Sequence, residues 1–235
     1  YEIPKRDWNS DVCSSDLKNE KNIYQLLSGG TMNFKKTLAA APLLLLPFTL
    51  QAADLENGKK LSRSCALCHG QYLQGVAGDL YPRLAGLPSG YVENELHRLQ
   101  EGRRKAHMPM LITSMVDMLS GSDMEDIANY MEHINVPAAH KRSIMQAPGD
   151  VAKGKEVYLE EECDGCHNKD GSGKPKKDIP PLRGQHTSYL TKQIEEFKNI
   201  TRIHDGEDEK EDSSFAEFNQ DMVRDLVAYL STLDD

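Results

Sequence analysis

Tryptophan and cysteine are scarce in this chain of 235 residues, and basic residues are fewer than acidic ones. There is one tryptophan, there are five cysteines, and 37 acidic residues outnumber 28 basic ones to give a formal net charge of −9. This balance argues against nucleic acid as a partner, because phosphate backbones are bound mainly through lysine and arginine. No nucleophile or paired acid–base group stands out elsewhere in the sequence, which argues against a hydrolytic enzyme. The few cysteines are therefore informative through their placement.

Long hydrophobic runs are also missing. The stretch from Thr37 to Leu50 is too short for a transmembrane helix and contains two prolines. It follows a basic segment that begins at Met32 and it ends at small residues, so residues 32–53 are predicted to be a secretory signal peptide that is removed near Ala53. An uncleaved membrane anchor is the alternative. The signal predicts an exported, periplasmic protein.

Residues 1–31 precede the plausible start at Met32, where a working signal peptide would not tolerate a long polar extension. We expect this segment to be a non-native extension. That expectation removes Cys13, and with it the tryptophan Trp8, from any argument about function.

The other four cysteines form two motifs of the pattern Cys-x-x-Cys-His. They are Cys65-Ala66-Leu67-Cys68-His69 and Cys163-Asp164-Gly165-Cys166-His167, and they lie 98 residues apart. The same offset relates Pro82 to Pro180, Leu84 to Leu182, Gly86 to Gly184, Tyr91 to Tyr189 and Arg104 to Arg202. After a loop that differs by one residue, Asp126 to Tyr130 matches Asp225 to Tyr229. The chain is therefore predicted to contain an internal repeat.

Each repeat is predicted to form one small domain, comprising residues 54–134 and 151–235. The linker, residues 135–150, contains prolines and a glycine between polar residues. Residues 150–235 carry 21 acidic and 12 basic side chains, so the second domain should present an acidic face to a partner.

Helical periodicity predicts an all-α fold, because no stretch alternates as a strand would. Apolar residues recur at helical spacing after Ser120, a candidate N-cap, and again near the end of the second repeat. These two stripes are Met124, Ile127, Ala128 and Met131, and Val223, Leu226, Val227 and Leu230. Shorter apolar sets around Leu96 and around Ile194 predict one further helix in each domain.

The spacing of the cysteine motifs matches the chemistry of covalent haem attachment. Two thiols about one helical turn apart can both form thioether bonds along one edge of a porphyrin, and the adjacent histidine then lies under the iron. This predicts two haems c. Their thioethers would come from Cys65, Cys68, Cys163 and Cys166, and their proximal iron ligands would be His69 and His167.

Three other uses of the motifs fit less well. A zinc site made from both pairs would usually place them about 15–20 residues apart, whereas 95 residues separate Cys68 from Cys163. A thioredoxin-like redox pair would need strands and helices in alternation around it. Structural disulfides are compatible with export but do not explain a histidine after each pair.

The sequence resembles the dihaem cytochrome c4 family, exported proteins made of two tandem class I cytochrome c domains. The resemblance rests on both haem motifs, on the segments Tyr81 to Gly86 and Ile179 to His186, and on Tyr91 and Tyr189. It implies that each all-α domain wraps around one haem. The dihaem subunit of flavocytochrome c sulfide dehydrogenase has a similar two-domain layout.

The resemblance also implies a methionine as the sixth iron ligand, shortly before the last helix of each domain. In the first domain Met110 is the preferred candidate and Met108 the second choice. The corresponding loop of the second domain, residues 203–218, contains no methionine. Its iron would be five-coordinate, hold water or take another side chain, of which His204 is the first candidate and His186 a weaker one. We therefore predict a lower potential for the second haem, since methionine ligation raises it.

These expectations favour a periplasmic electron carrier that passes single electrons between redox proteins of a respiratory or sulfur-oxidising chain. Its partners would be an oxidase, a reductase or a flavoprotein, with no nucleic acid and no stable membrane span after signal cleavage. Two alternatives remain: the haem subunit of a flavocytochrome dehydrogenase complex, and a catalytic or gas-binding haem in the second domain.

Overall fold

The computed structural model describes residues 52–76, 81–104, 110–138, 146–204 and 214–233. The predicted extension and the signal peptide up to Gln51 lie outside these ranges, as do Met108 and the acidic run 205–212. The α-helices are α1 Leu55–Leu61, α2 Arg63–His69, α3 Ser89–Gln100, α4 Met110–Val116, α5 Gly121–His133, α6 Val151–Glu160, α7 Cys163–His167, α8 Thr187–Lys198 and α9 Gln220–Leu230. A 3₁₀ turn spans Pro175–Lys177. The all-α prediction is confirmed: the described ranges hold no strand, and only one isolated bridge joins Lys174 to Ile179.

Side-chain caps begin the first and last helices of each repeat. Asp54 accepts hydrogen bonds from the backbone of α1, and Asp150 does the same for α6. Ser120 forms a capping box with Asp123 at the start of α5, which confirms it as an N-cap. Asn219 accepts from the backbone N–H of Met222 at 2.9 Å to start α9. Each cap satisfies donors that a helix start otherwise leaves unpaired.

The first helix of each repeat packs closely against the last. A Cβ placed on Gly58 of α1 would lie 2.1 Å from the backbone oxygen of Asp126 in α5, and one placed on Gly154 of α6 would lie 1.8 Å from that of Asp225 in α9. Only glycine permits such an approach. The Asp126 carboxylate also accepts from the Asp54 backbone N–H at 2.6 Å, and Asp225 accepts from Asp150 at 3.0 Å.

Each repeat has its own hydrophobic core. Both predicted stripes are buried: no residue among Met124, Ile127, Ala128 and Met131 exceeds 2 % exposure, and no residue among Val223, Leu226, Val227 and Leu230 exceeds 5 %. The first core adds Leu73, Ala85, Leu87 and Val92, and the second adds Tyr158, Leu190, Ile194 and Phe218. Repeated sequence therefore gives repeated packing.

The two repeats belong to one compact unit, Ala52–Asp235. Side chains at equivalent positions meet between them, in a group that we call the interdomain network: Tyr91, Glu95 and Arg104 from the first repeat, and Tyr189, Gln193 and Arg202 from the second. Each member is 98 residues from its counterpart. The contact therefore has approximate two-fold character, as in a homodimer made from two copies of one domain.

Each arginine of the interdomain network reaches the tyrosine of the other repeat. Arg202 donates to the Tyr91 hydroxyl at 2.8 Å, and Arg104 donates to the Tyr189 hydroxyl at 3.2 Å. Glu95 accepts from both arginines, at 2.9 Å from Arg202 and 3.0 Å from Arg104. At the equivalent position Gln193 also accepts from both, at 2.9 Å from Arg104. The Glu95 carboxylate thus pairs with two guanidinium groups that are buried or nearly buried.

A second contact between the repeats uses backbone groups. The Gln185 side chain accepts from the Arg83 N–H at 2.9 Å and donates to the Arg83 carbonyl at 3.0 Å. His186 Nε2 lies 3.2 Å from the carbonyl oxygen of Gln74. His186 is therefore part of the contact between the repeats.

Candidate haem sites

Both cysteine motifs lie on short helices that end at the histidine. Cys65 and Cys68 lie three residues apart on α2, and Cys163 begins α7. Residues at this spacing share one face of a helix. Cys65, Cys68 and Cys163 are free, partly buried thiols. A porphyrin edge presented to that face would meet both sulfurs of a pair.

The two motif histidines are oriented in the same way. His69 Nδ1 lies 2.9 Å from the Pro82 carbonyl oxygen, and His167 Nδ1 lies 2.9 Å from the Pro180 carbonyl oxygen. Since a carbonyl oxygen only accepts, Nδ1 must carry the proton, and Nε2 keeps its lone pair. A backbone acceptor on the far nitrogen is the usual way in which proteins orient a metal-binding imidazole.

Burial keeps these imidazoles neutral. It lowers the pKa of His69 below its usual value, and together with the nearby His204 it lowers the pKa of His167 to about 4. Neutral imidazole is the form that binds a metal. The motif histidines are therefore ready ligands at neutral pH.

Cys65 and Cys163 have the opposite tendency from the thiols of a redox pair. Burial raises the pKa of Cys65 and raises that of Cys163 to about 12. Reactive dithiols instead have lowered pKa values. In the described part of the chain, no cluster of three or more His, Cys, Asp or Glu side chains suited to a metal ion occurs. Covalent haem remains the use that fits these groups.

Two donors of the interdomain network would suit the carboxylate groups of a haem. In the described ranges, Nε of Arg104 and Nε of Arg202 are buried without an acceptor. Every haem carries two carboxylates, and a buried guanidinium donor suits such a group. The donor set thus matches a porphyrin with acidic side chains.

The distal candidate of the first domain is only partly described. Met110 is the first residue of α4 and is 83 % exposed, while Met108 lies outside the described residues. The other face of α4 packs through Val116 against Leu99 and Met124. This orientation leaves the Met110 sulfur available, and its ligand role stays a prediction.

In the second domain, the fold places the candidate distal ligands at different positions relative to His167. His204 lies close to His167, with ring centroids 6.2 Å apart and an angle of 40° between the planes. His186 instead contacts the first repeat through Gln74. Met222, the only methionine in the described part of the second repeat, packs against the second core. His204 is thus the candidate that the structure brings beside the proximal histidine.

Comparison with known proteins agrees with this geometry. The family model described as Cytochrome c matches residues 55–135 and 151–234, one match for each repeat. The chain belongs to the dihaem cytochrome c4 family. Cytochrome c4 of Pseudomonas aeruginosa is 29 % identical over 190 residues, which cover 77 % of this chain and 90 % of the relative.

Two further similarities extend the comparison. The crystal structure of reduced recombinant cytochrome c4 from Pseudomonas stutzeri aligns with a TM-score of 0.63 at 27 % identity, covering 77 % of this chain and all of that chain. A protein of Stutzerimonas stutzeri named thiosulfate dehydrogenase electron acceptor is 30 % identical and covers 73 % of this chain and 82 % of its own length. As a cytochrome c4 family member, the chain is a dihaem cytochrome of electron transfer with two haems c.

Sequence reasoning missed several residues that shape the sites. Pro82 and Pro180 were visible as a repeated pair, but their function lies in backbone carbonyls, which side-chain identity does not reveal. Upstream of the motifs Gly58 and Gly154 are 96 residues apart, so the 98-residue offset passes over them. The change of offset from 98 to 96 residues upstream of the motifs was the signal that could have revealed this pair of glycines.

Proposed function

We propose that this chain is a periplasmic electron carrier that passes single electrons between redox proteins. The observation that carries the proposal is the repeated proximal geometry, in which His69 and His167 each face a proline carbonyl at 2.9 Å. Cys65 and Cys68 attach one haem and Cys163 and Cys166 the other. The bound haems supply one-electron chemistry, while the protein sets their orientation and potentials.

The side chains perform distinct parts of this work. The thioethers hold each cofactor although each domain is small, and the Nδ1 hydrogen bonds fix the imidazoles that bind iron. The Met110 sulfur would be the sixth ligand in the first domain, with Met108 as the second choice. The interdomain network holds the two domains in one arrangement, so that an electron can pass between them along a constant path.

The location and partners follow from segments outside the haem sites. Residues 32–53 act as a secretory signal, which places attachment of the haems and function in the periplasm. In the described ranges no helix is long and apolar enough to cross a membrane. The acidic second domain would meet a basic patch on its partner, with association that weakens as salt rises.

Haem counting tests the proposal directly. The full chain, exported in a host that attaches haem c, should carry two haems per polypeptide in a pyridine haemochrome assay. Replacing Cys65 and Cys68 by serine should leave one haem, and replacing Cys163 and Cys166 should leave the other. Two haems retained in either variant would refute the assignment of the attachment sites.

A second candidate is an electron-accepting partner of a dehydrogenase. It is supported by the Stutzerimonas stutzeri relative that is named as a thiosulfate dehydrogenase electron acceptor. The electron donor would then be a dehydrogenase of an inorganic sulfur compound. Stopped-flow reduction of the holoprotein by thiosulfate dehydrogenase should be fast and should slow with added salt. A flavocytochrome subunit would instead co-purify with a flavoprotein.

A further inference from the structure

We propose that His204 is the second axial ligand of the iron bound by His167, so that the second haem is held by two histidines. This inference rests on the proposed function, because it requires an iron at His167. It departs from the methionine that the family resemblance implies.

The spacing of the two imidazoles carries the argument. Two imidazoles that bind one metal from opposite sides place their ring centres about 6 Å apart, because each metal–nitrogen bond is about 2 Å and each ring centre lies about 1 Å beyond its nitrogen. The centroids of His167 and His204 are 6.2 Å apart. The structure therefore already holds the pair at the separation that a shared iron requires.

Aromatic contacts fix His204 in this position although its side chain is exposed. Its ring meets Phe197 edge-on at 5.0 Å and Phe215 edge-on at 5.1 Å. Those two phenylalanines stack on each other at 5.3 Å, and Phe215 contacts the buried Phe218 at 4.9 Å. Edge-on contacts from two directions restrict rotation of the imidazole. A freely rotating loop histidine would show no such arrangement.

The chain just before His204 is also anchored. The Arg202 guanidinium lies 4.9 Å from the centre of the Phe197 ring and is buried in the interdomain network. Thr201 donates through its hydroxyl to the Glu196 carbonyl of α8 at 3.2 Å. The position of His204 is thus set by contacts on both α8 and the first repeat.

Competing side chains are placed elsewhere. Met222 packs against the core of the second domain, and its backbone N–H is used by the Asn219 cap. His186 reaches the Gln74 carbonyl at 3.2 Å. Lys174 is also near His167, but its Nζ donates to the Gly165 carbonyl oxygen. His204 is therefore the candidate whose ring lies beside His167.

Spectroscopy of the oxidised holoprotein tests the proposal without any activity assay. We expect paramagnetic resonance to show two low-spin ferric haems, one of them with a bis-imidazole signal, and the near-infrared spectrum to show one methionine-to-iron charge-transfer band for two haems. His204→Ala should convert one haem to high spin and let carbon monoxide bind it when reduced. Added imidazole should restore the low-spin form. His204→Met should add a second charge-transfer band.

The control is His97→Ala, which removes a half-exposed histidine of α3 and should leave every signal unchanged. Haem content distinguishes failure of the His204 assignment from failure of the proposed function. Loss of haem from wild-type chains would defeat the proposed function itself. Two haems with a second charge-transfer band in the wild type, a high-spin haem in the wild type, or a His204→Ala variant that stays low-spin would each overturn the assignment of His204.

Discussion

Glu95 shows how much one side chain contributes at the contact between the repeats. It is buried, and it accepts from Arg202 at 2.9 Å and Arg104 at 3.0 Å. Burial alone would raise the pKa of this carboxyl, but Arg202, Arg104 and Arg98 together lower it below its usual value. The arginines therefore keep Glu95 charged, and Glu95 offsets their buried charge.

Glu95→Gln should destabilise the folded protein by on the order of 3 kcal/mol, because two guanidinium groups lose their charged partner in a desolvated place. Chemical denaturation followed by circular dichroism measures the change. Glu93→Gln is the matched control on the same helix, and its effect should stay within about 0.5 kcal/mol, since Glu93 is half-exposed and its ion pair with His97 is long, at 3.9 Å. Equal effects of the two substitutions would contradict the importance of the interdomain network.

The same variant has a pH signature. Because the folded state lowers the pKa of Glu95, its charged form contributes full stability above the usual value of about 4.5. That contribution is lost as the pH falls through the lower, folded value. The difference in unfolding free energy between wild type and Glu95→Gln should therefore be constant near neutrality and shrink in acid. A difference that grows in acid would show that folding raises the pKa of Glu95 instead of lowering it.

At the scale of helices, each domain is closed by one crossing between its first and last helix. Gly58 and Gly154 let a backbone carbonyl approach to a distance that a side chain would forbid. The two carbonyls belong to Asp126 and Asp225, whose carboxylates also hold the N-caps of α1 and α6. In both domains, the close helix crossing and the N-cap of the first helix therefore involve the same aspartate.

Gly58→Ala and Gly154→Ala should each destabilise by about 2 kcal/mol or more, because the new methyl group forces the helices apart. Thermal unfolding gives the measurement. Gly121→Ala is the control: a Cβ there meets nothing within 4 Å, so this change should be neutral or slightly stabilising. A neutral Gly154→Ala would mean that α6 and α9 can separate at little cost.

The elements that sequence predicts well are those with strong periodicity. The stripes of α5 and α9 are buried as predicted, because four apolar residues at helical spacing define a face without further information. α1 has only seven residues and little apolar character, so no local sequence pattern predicts this helix. The proximal histidines could be predicted from their motif. His204 could only be ranked, because its position depends on Phe197 and Phe215, which meet it through the fold.

Across the whole molecule, the proposed ligands combine symmetric proximal sites with different distal candidates in the two domains. In both proximal sites the histidine Nδ1 lies 2.9 Å from a proline carbonyl oxygen. The candidate distal ligands differ, because the first domain has Met110 and the second has His204 beside its proximal histidine. Methionine raises the potential of a haem relative to a second histidine. An electron that enters at the second domain would therefore move towards the first.

A redox titration of the holoprotein should resolve two midpoints, with the lower one belonging to the second haem. His204→Met should raise that lower midpoint and leave the upper one in place, since methionine favours ferrous iron. The assignment is checked with the variant that lacks Cys163 and Cys166, which should lose the lower transition only. Equal midpoints, or a higher value for the second haem, would contradict the ligand asymmetry.

The glycine crossings also determine when each domain can be completed during the proposed export. The core of the first domain needs α5 to pack on α1, and that of the second needs α9 to pack on α6. A chain that emerges from its N-terminus therefore finishes the first domain only once His133 has appeared. The second follows only after Leu230. Haem attachment machinery acting on the emerging chain would meet each Cys-x-x-Cys-His motif while its domain is still open, since both motifs precede the helix that closes the fold.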